Sequence, residues 1–215
     1  MIKDYDRSHW FGASDAKYIF SDSQLSNSWR DWWDVKCGRN TTAFGGNVYT
    51  RAGNTFEHSI LRTYDKRIRF DRQIRIPELR LRVNLDGNTD DEIYEVKTYQ
   101  IDKAFKVTDA YFHQAQLQML AWKMEKLINW VDCDGVPKQK SKNLPLKQHY
   151  ILAYGLYPDE YYATYTDEQI EKGLIPIDRD RIKVYEVGRS RSFERSGKKV
   201  LKKLAKRLRK EEVNV

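Results

Sequence analysis

Two short stretches, Asn84-Leu85-Asp86-Gly87 and Tyr94-Glu95-Val96-Lys97-Thr98, decide the fold that this sequence predicts. The first ends an alternating run of apolar residues, which is typical of a half-buried β-strand, and Gly87-Asn88 supplies residues that favour a turn. The second predicts a neighbouring strand over 93–98. Side chains two positions apart in a strand lie on one face, so Glu95 and Lys97 are expected to point the same way. The sequence therefore predicts a strand pair that brings Asp86, Glu95 and Lys97 together.

These three side chains have a chemistry in common. Two carboxylates, Asp86 and Glu95, offer the hard oxygen ligands that suit Mg²⁺ or Mn²⁺. The Lys97 ammonium beside them could orient or deprotonate a water near a phosphate. An acid on one strand followed by acid-x-lysine on the next is the minimal set of groups for metal-assisted phosphodiester hydrolysis. The local pattern leaves open the alternative that these are charges on a solvated face.

Charge is distributed unevenly along the chain. Its 215 residues are enough for a single domain over 1–215, and the formal net charge of +8 favours a polyanionic partner such as DNA. Residues 86–95 nevertheless contain five acidic side chains, Asp86, Asp90, Asp91, Glu92 and Glu95. An acidic cluster in a basic protein is unfavourable for DNA contact unless a cation binds there, so the contrast favours a metal site.

Cysteine content and hydropathy exclude several classes of protein. The two cysteines, Cys37 and Cys133, cannot form a four-cysteine zinc or iron–sulfur site, and they favour reduced thiols in the cytoplasm. No stretch approaches the ~20 apolar residues of a membrane span. Residues 1–4 do not resemble a signal peptide. We expect a cytoplasmic protein that does not contact a membrane.

Periodicity over the rest of the chain predicts an α/β domain. Ser14 is expected to cap a helix over 15–20 that could bind a phosphate together with Arg7, the alternative being an ordinary capped helix. Glu57 borders the apolar face of the next long helix, either as a surface charge or as a third acidic group at the metal. The predicted helices cover 15–20, 24–37, 47–66, 101–125 and 190–211, and the predicted strands cover 68–76, 79–86, 126–133, 146–156 and 181–187.

Two of these helices carry further functional candidates. On the helix of 101–125, Tyr111, Gln114 and Gln118 share one face, and a glutamine there could hold the attacking water or the lysine. His113 is expected at the surface or the edge of the core. The basic helix of 190–211 could contact DNA or be simply solvated.

In their order along the chain, these residues resemble the YqaJ-like viral recombinase family, which is related to the lambda phage exonuclease within the PD-(D/E)XK nucleases. The similarity covers roughly residues 7–120, and the last third matches only in its pattern of strands and a closing helix. Leu85 stands where the family usually has a small residue or proline, which removes no ligand. The matching segments are Gly12-Ala13-Ser14-Asp15, Gly53-Asn54-Thr55-Phe56-Glu57, Asn84-Leu85-Asp86-Gly87, Tyr94-Glu95-Val96-Lys97-Thr98 and Tyr111-x-x-Gln114-x-Gln116.

The resemblance implies a PD-(D/E)XK fold, with a mixed central sheet flanked by helices, and a role for each matching residue. The implied metal ligands are Asp86, Glu95, the Val96 carbonyl and Glu57. Lys97 would act on the nucleophilic water, and Gln114 would orient the lysine or the water. The implied pocket for a 5′-terminal phosphate contains Arg7, Ser14 and Asn84.

The activity implied by the resemblance is that of a Mg²⁺-dependent (or Mn²⁺-dependent) 5′→3′ exonuclease on double-stranded DNA ends, producing 3′ single-stranded tails for phage-type recombination. The expected partners are DNA ends, a single-strand annealing protein and, as is common in the family, two further copies of the chain in a trimer. One rival is a PD-(D/E)XK endonuclease of another DNA-processing system, such as a CRISPR-associated nuclease. Another is a non-catalytic DNA-binding protein, whose binding would depend strongly on salt.

Overall fold

The computed structural model describes residues 7–40, 47–128 and 148–213 of the chain. The strands are β1 (Phe11–Gly12), β2 (Arg69–Ile76), β3 (Leu81–Asn88), β4 (Glu92–Gln100), β5 (Gln148–Leu156) and β6 (Ile182–Val187). The α-helices are α1 (Ala16–Ile19), α2 (Asn27–Lys36), α3 (Val48–Tyr64), α4 (Asp109–Ile128), α5 (Asp167–Glu171) and α6 (Arg191–Val213). None of the described helices combines the length and the apolar character that crossing a bilayer requires.

The strands form one mixed sheet of six strands in the order β1-β3-β4-β5-β6, with β2 also paired to β3. The β2–β3, β3–β4 and β5–β6 pairs are antiparallel, whereas β1–β3 and β4–β5 are parallel. Strands β3 and β4 pair only through Gly87 with Tyr94 and Asn88 with Ile93. The ladder therefore stops one residue before Asp86 and Glu95, and the two strands separate there.

Helices cover both faces of the sheet because successive residues of a strand point to opposite sides. On one face, Phe56 and Ile60 of α3 pack in a cluster with Tyr94 of β4. On the other face, helices α2, α4 and α6 pack against a second cluster that includes Leu85 of β3 and Ile93 of β4. The alternation along β4 places Glu95 on the α4 side.

Several boundaries differ from the sequence prediction. The helix predicted over 101–125 begins only at Asp109, where the Thr108 hydroxyl accepts the Tyr111 N–H at 3.3 Å. Gly87 and Asn88 belong to β3 rather than to a turn, and the chain reverses over the residues between Asn88 and Glu92. The strand predicted over 126–133 is wrong at its start, because α4 continues to Ile128, and residues 129–133 lie outside the described part of the chain.

The first helix is also shorter than predicted, and Ser14 is not its cap. A 3₁₀ turn over Ala13–Asp15 precedes α1, and the Asp15 carboxylate accepts the Gly12 N–H at 2.7 Å. This bond runs from the third residue of the turn back to the N–H that precedes the turn, as in the acidic half of a capping box, and α1 itself has no side-chain cap. With four residues, α1 has little helix dipole, so phosphate binding there would have to depend on side chains.

The tryptophans of α2 belong to the core. Trp29, Trp32 and Trp33 are buried, and Cys37 packs against the same cluster. In α6, Leu201, Leu204 and Leu208 form the buried stripe. His113 is half-buried against Phe20 and Phe193, which confirms its place at the edge of the core.

Candidate active site

A cleft of about 560 Å³ opens where β3 and β4 separate, between the start of the described chain, α3 and α4. Its walls contain every residue that the sequence singled out for a site: Arg7, Ser14, Glu57, Asn84, Asp86, Glu95, Val96, Lys97 and Gln114. The structure therefore brings together residues that are more than 100 positions apart in the chain, which no local sequence pattern requires.

Asp86 lies at the point where the β3–β4 ladder stops. Its Oδ2 atom accepts the Val96 N–H at 2.8 Å, so the side chain takes over a hydrogen bond that the partner strand no longer makes. Burial, and next the nearby Glu95 carboxylate, raise the pKa of Asp86 to about 8, although Lys97 acts in the opposite direction. The metal-free site thus resists the ionisation of Asp86.

Glu95 is 4% exposed and is held at both carboxylate oxygens. Its Oε1 atom accepts hydrogen bonds from Lys97 Nζ at 2.5 Å and from Gln114 Nε2 at 2.6 Å. Its Oε2 atom accepts one from Gln118 Nε2 at 2.5 Å. The contact with Lys97 confirms that the Glu95 and Lys97 side chains share a face of β4. Gln114 does not bind the lysine directly, but donates to the same Glu95 oxygen as the lysine does.

Lys97 stays charged in this environment. Burial lowers its pKa, but the Glu95 and Asp86 carboxylates outweigh that effect, and the pKa of Lys97 is higher than usual. Its ammonium also lies 5.2 Å from the ring centre of Tyr111, which contributes a cation–π contact. In the metal-free protein Lys97 is therefore a hydrogen-bond donor and not a base.

Glu57 reaches the same cleft from α3. Burial, and then the charges of Asp86 and Glu95, raise the pKa of its carboxyl well above the ordinary value. Within the described residues, Glu57, His58 and Asp71 each offer one ligand atom, and these atoms lie within 4.8 Å of one another. The His58 Nδ1 atom is 3.0 Å from the Glu171 carbonyl, and its Nε2 atom is 3.2 Å from Asp71 Oδ2. This group can hold a metal ion next to the Asp86–Glu95 pair.

The opposite end of the cleft is basic. Arg7, Ser14 and Asn84 are exposed there, and the Asn84 Oδ1 atom accepts a hydrogen bond from Gln73. Lys36 lines the same end although it is only 2% exposed, and it pairs with Asp15 at 2.7 Å. The buried Arg82 lies in this wall as well. This end of the cleft thus offers an anion several donors.

Sequence reasoning did not assign a role to Lys36, Arg82 or His149. Lys36 occupies the last turn of a helix whose tryptophans indicate only core, and Arg82 is one of many arginines on β2 and β3. Gln118 was placed on the helix face of Gln114, one turn further along, but its contact with Glu95 was not predicted. His149 had no local signal, since its contact with Gln118 joins α4 to a strand that follows a long connection.

Comparisons with known proteins identify the fold. A scan against models of protein families and a search of curated proteins both find no match. Among solved structures, the chain is similar to an alkaline exonuclease from Laribacter hongkongensis, with a TM-score of 0.62 and 14% identity over 97% of this chain and 92% of that one. The structure of that exonuclease in complex with dAMP gives a TM-score of 0.62 and 13% identity, over 96% of this chain and 91% of that one.

A second protein with a similar structure is a phage-related exonuclease from Haemophilus somnus 129PT, with a TM-score of 0.55 and 15% identity over 94% of this chain and 96% of that one. At such low identity these similarities establish the fold. The prediction of a mixed central sheet flanked by helices is confirmed, and the chain shares this fold with the two exonucleases.

Proposed function

We propose that this protein is a metal-dependent 5′→3′ exonuclease of the YqaJ-like family, which degrades double-stranded DNA from its ends and leaves 3′ single-stranded tails for phage-type recombination. The observation that carries the proposal is the meeting of Asp86, Glu95 and Lys97 in one cleft, with Lys97 Nζ 2.5 Å from Glu95 Oε1. The similarity in fold to two proteins described as exonucleases supports the same reaction class.

The residues of the cleft fit a divalent cation. Asp86, Glu95 and Glu57 supply carboxylate oxygens, the ligands that Mg²⁺ and Mn²⁺ prefer, and the Val96 carbonyl is the proposed backbone ligand. Burial first, and then repulsion from neighbouring carboxylates, raises the pKa values of Asp86 and Glu57, and a cation would relieve the repulsion. When bound, such a cation supplies Lewis-acid stabilisation of the charge that develops on the cleaved phosphate.

The chain's own groups would orient the reaction. Lys97 is protonated in the metal-free protein, so it would donate a hydrogen bond to the attacking water or to a phosphate oxygen. If a cation weakened the negative field of Glu95 and Asp86, the pKa of Lys97 would fall, and the lysine would be neutral, and so able to take a proton from the water, in a larger fraction of molecules. Gln114 would keep the Glu95 oxygen that faces the lysine in place.

The basic end of the cleft is the proposed pocket for a 5′-terminal phosphate. Arg7, Ser14 and Asn84 would contact it, and the buried cations of Lys36 and Arg82 would add to the positive potential. Such a pocket would fix the distance from the DNA end to the metal-binding carboxylates. That fixed distance would explain successive removal of nucleotides from a 5′ end.

Digestion of four DNA substrates tests the proposal. Linear duplex DNA with 5′-phosphate or 5′-hydroxyl ends is compared with nicked and closed circles, in Mg²⁺, in Mn²⁺ and in EDTA. We expect loss of the linear duplex, faster with a 5′-phosphate and abolished by EDTA, while the closed circle stays intact. Asp86→Ala is the control for a contaminating nuclease.

The same assay separates the rivals. Cleavage of the closed circle would identify an endonuclease, since an exonuclease cannot start on DNA without an end. Salt-dependent binding without cleavage in either metal would identify a DNA-binding protein that keeps the fold. The annealing partner and the trimer remain predictions, and light scattering of the purified chain would measure the oligomeric state.

A further inference from the structure

Behind the cleft, a buried chain of hydrogen bonds leads away from Glu95. Gln118 of α4 is completely buried, and its Nε2 atom lies 2.5 Å from Glu95 Oε2 and 3.3 Å from the Asn84 carbonyl oxygen. The Oε1 atom of the same amide lies 2.5 Å from Nε2 of His149, which is also completely buried. Gln118 therefore links β3, β4 and β5 behind the acidic pair.

The positions of the protons follow from these partners. A carboxylate oxygen and a backbone carbonyl can only accept, so both N–H bonds of the Gln118 amide are donated. The Oε1 atom of that amide must then accept, and Nε2 of His149 must donate to it. Burial lowers the pKa of His149 to about 4, so the neutral ring carries its single proton on Nε2.

This arrangement would destabilise the fold if its only role were to fill space in the core. The Nδ1 atom of His149 is buried, and it has no hydrogen-bond partner within the described part of the chain. An apolar side chain at position 149 would avoid that unsatisfied acceptor, but it would also leave Gln118 Oε1 without a donor. Within the described residues, the His149 ring is hydrogen-bonded to the Gln118 amide, and the charged group that this amide holds is Glu95.

We propose that Gln118 and His149 are positioning residues, which fix the Glu95 carboxylate in the orientation that binds the catalytic cation. His149 holds the amide of Gln118, and the amide holds Oε2 of Glu95. Without them, Lys97 and Gln114 still hold Oε1 of Glu95, but the carboxylate can rotate about that contact and Oε2 loses its fixed position. The inference rests on the proposed function, because it assigns a cation to Glu95.

Three substitutions separate positioning from packing. Gln118→Leu removes both donors, and His149→Leu removes the donor to Gln118 while keeping an apolar volume. His149→Gln can return an N–H donor near the place of Nε2. His113→Leu is the matched control, because His113 is a half-buried histidine on α4 that stacks on Phe193 at 4.9 Å between ring centres.

The primary measurement is the dissociation constant for Mn²⁺, determined by calorimetry on each folded variant without DNA. Loss of a side chain that orients a metal ligand weakens binding by about 10–100-fold. We expect a loss of that size for Gln118→Leu, a smaller loss for His149→Leu, recovery towards the wild-type constant in His149→Gln, and no change for His113→Leu. Melting temperatures and circular dichroism establish that each variant is folded.

The double variant His149→Leu/Gln118→Leu decides whether His149 acts through Gln118. If it does, the double variant binds Mn²⁺ as weakly as Gln118→Leu alone, because the second change removes nothing further. If the losses of Mn²⁺ affinity in the two single variants multiply in the double variant, the inference that His149 acts through Gln118 is wrong. Unchanged Mn²⁺ affinity in both single variants, with lowered melting temperatures, would overturn positioning and leave a packing role. Should either leucine variant not fold, Gln118→Met and His149→Met give the same comparison at nearly constant volume.

Nuclease assays on the same samples keep the two hypotheses apart. A wild type that binds Mn²⁺ but cuts no DNA, with weaker Mn²⁺ binding in Gln118→Leu, would overturn the proposed function and support the positioning. An active wild type whose Gln118→Leu and His149→Leu variants keep its Mn²⁺ affinity would overturn only the positioning.

Discussion

Ionised Asp86 is expected to destabilise the metal-free protein. Its pKa is about 8 in the folded chain and 3.8 as the ordinary value, first because of burial and then because of Glu95. A carboxyl whose pKa is higher when folded stabilises the protein below the unfolded pKa, and this stabilisation is lost as the pH rises through the folded pKa. The metal-free protein should therefore lose stability between about pH 4 and pH 8, a range set by these two values.

The size of the effect follows from the same pKa values. At about 1.4 kcal/mol for each pH unit, raising one carboxyl pKa from 3.8 to about 8 costs about 6 kcal/mol once the group is ionised. Neighbouring charged groups share this cost, so we expect Asp86→Asn to stabilise the metal-free protein by about 2–4 kcal/mol at pH 9. The amide keeps an oxygen that can accept the Val96 N–H, so this hydrogen bond is retained.

The assay is thermal unfolding at pH 6 and pH 9, in EDTA and in Mn²⁺. In EDTA at pH 9, a gain of that size raises the melting temperature by about 5–15 °C for a chain of this length. Mn²⁺ should stabilise the wild type but not the variant, by about 2.7 kcal/mol at 100 times the dissociation constant. The exposed Asp102→Asn is the control for loss of one negative charge. A melting temperature of Asp86→Asn below that of the wild type in EDTA at pH 9 would refute the reasoning.

Three further predictions use single substitutions. Lys97→Met should lower kcat by about 10²–10⁴-fold, because the lysine acts on the water or phosphate, and it should leave the Mn²⁺ dissociation constant within a small factor. Single-turnover kinetics measures the first quantity and calorimetry the second. Unchanged turnover would contradict the role of the lysine. Gly87→Ala should destabilise the chain by about 1–3 kcal/mol, because a Cβ atom would lie 2.6 Å from Ile68 Cγ2. Gly188→Ala is the control, because a Cβ atom there would have nothing within 4 Å in the described residues, and it should change stability by less than about 0.5 kcal/mol. Urea unfolding measures both. Arg7→Ala should reduce the preference for 5′-phosphate over 5′-hydroxyl ends without slowing cleavage of the hydroxyl substrate, and an unaltered preference would remove Arg7 from the phosphate pocket.

The acidic pair and the lysine could be predicted from sequence because their relation is local. Strand periodicity fixes that Glu95 and Lys97 share a face, and their 2.5 Å contact has that origin. The end of β3 could not be predicted in the same way. Gly87 was interpreted as a turn residue, but its role is to admit Leu61 and Ile68, whose side chains would lie within 3 Å of any Cβ atom there. A glycine required by close packing and one required by a turn look identical in a sequence.

Other features depended on contacts far apart in the chain. The run after residue 125 was predicted as a strand, but packing of Trp122 and Met124 in the core continues α4 through this region to Ile128. Propensity is a weak signal compared with burial of a helix face. His149 could not be assigned, because its value depends on the position of Gln118, which the strand pattern around it does not reveal.

The donors around Glu95 explain how a buried carboxylate can be fixed and still attract a cation. Two of its three partners, Gln114 and Gln118, are neutral amides, and only Lys97 is charged. Amides satisfy the oxygens and hold their orientation without cancelling the charge, whereas arginines at the same positions would form ion pairs that compete with a metal. With Asp86 and Glu57 nearby, one ammonium leaves the centre short of positive charge. Burial, and next the neighbouring carboxylates, raise the pKa of both carboxyls. The centre is thus organised for a divalent cation even though its acidic side chains make the metal-free fold less stable.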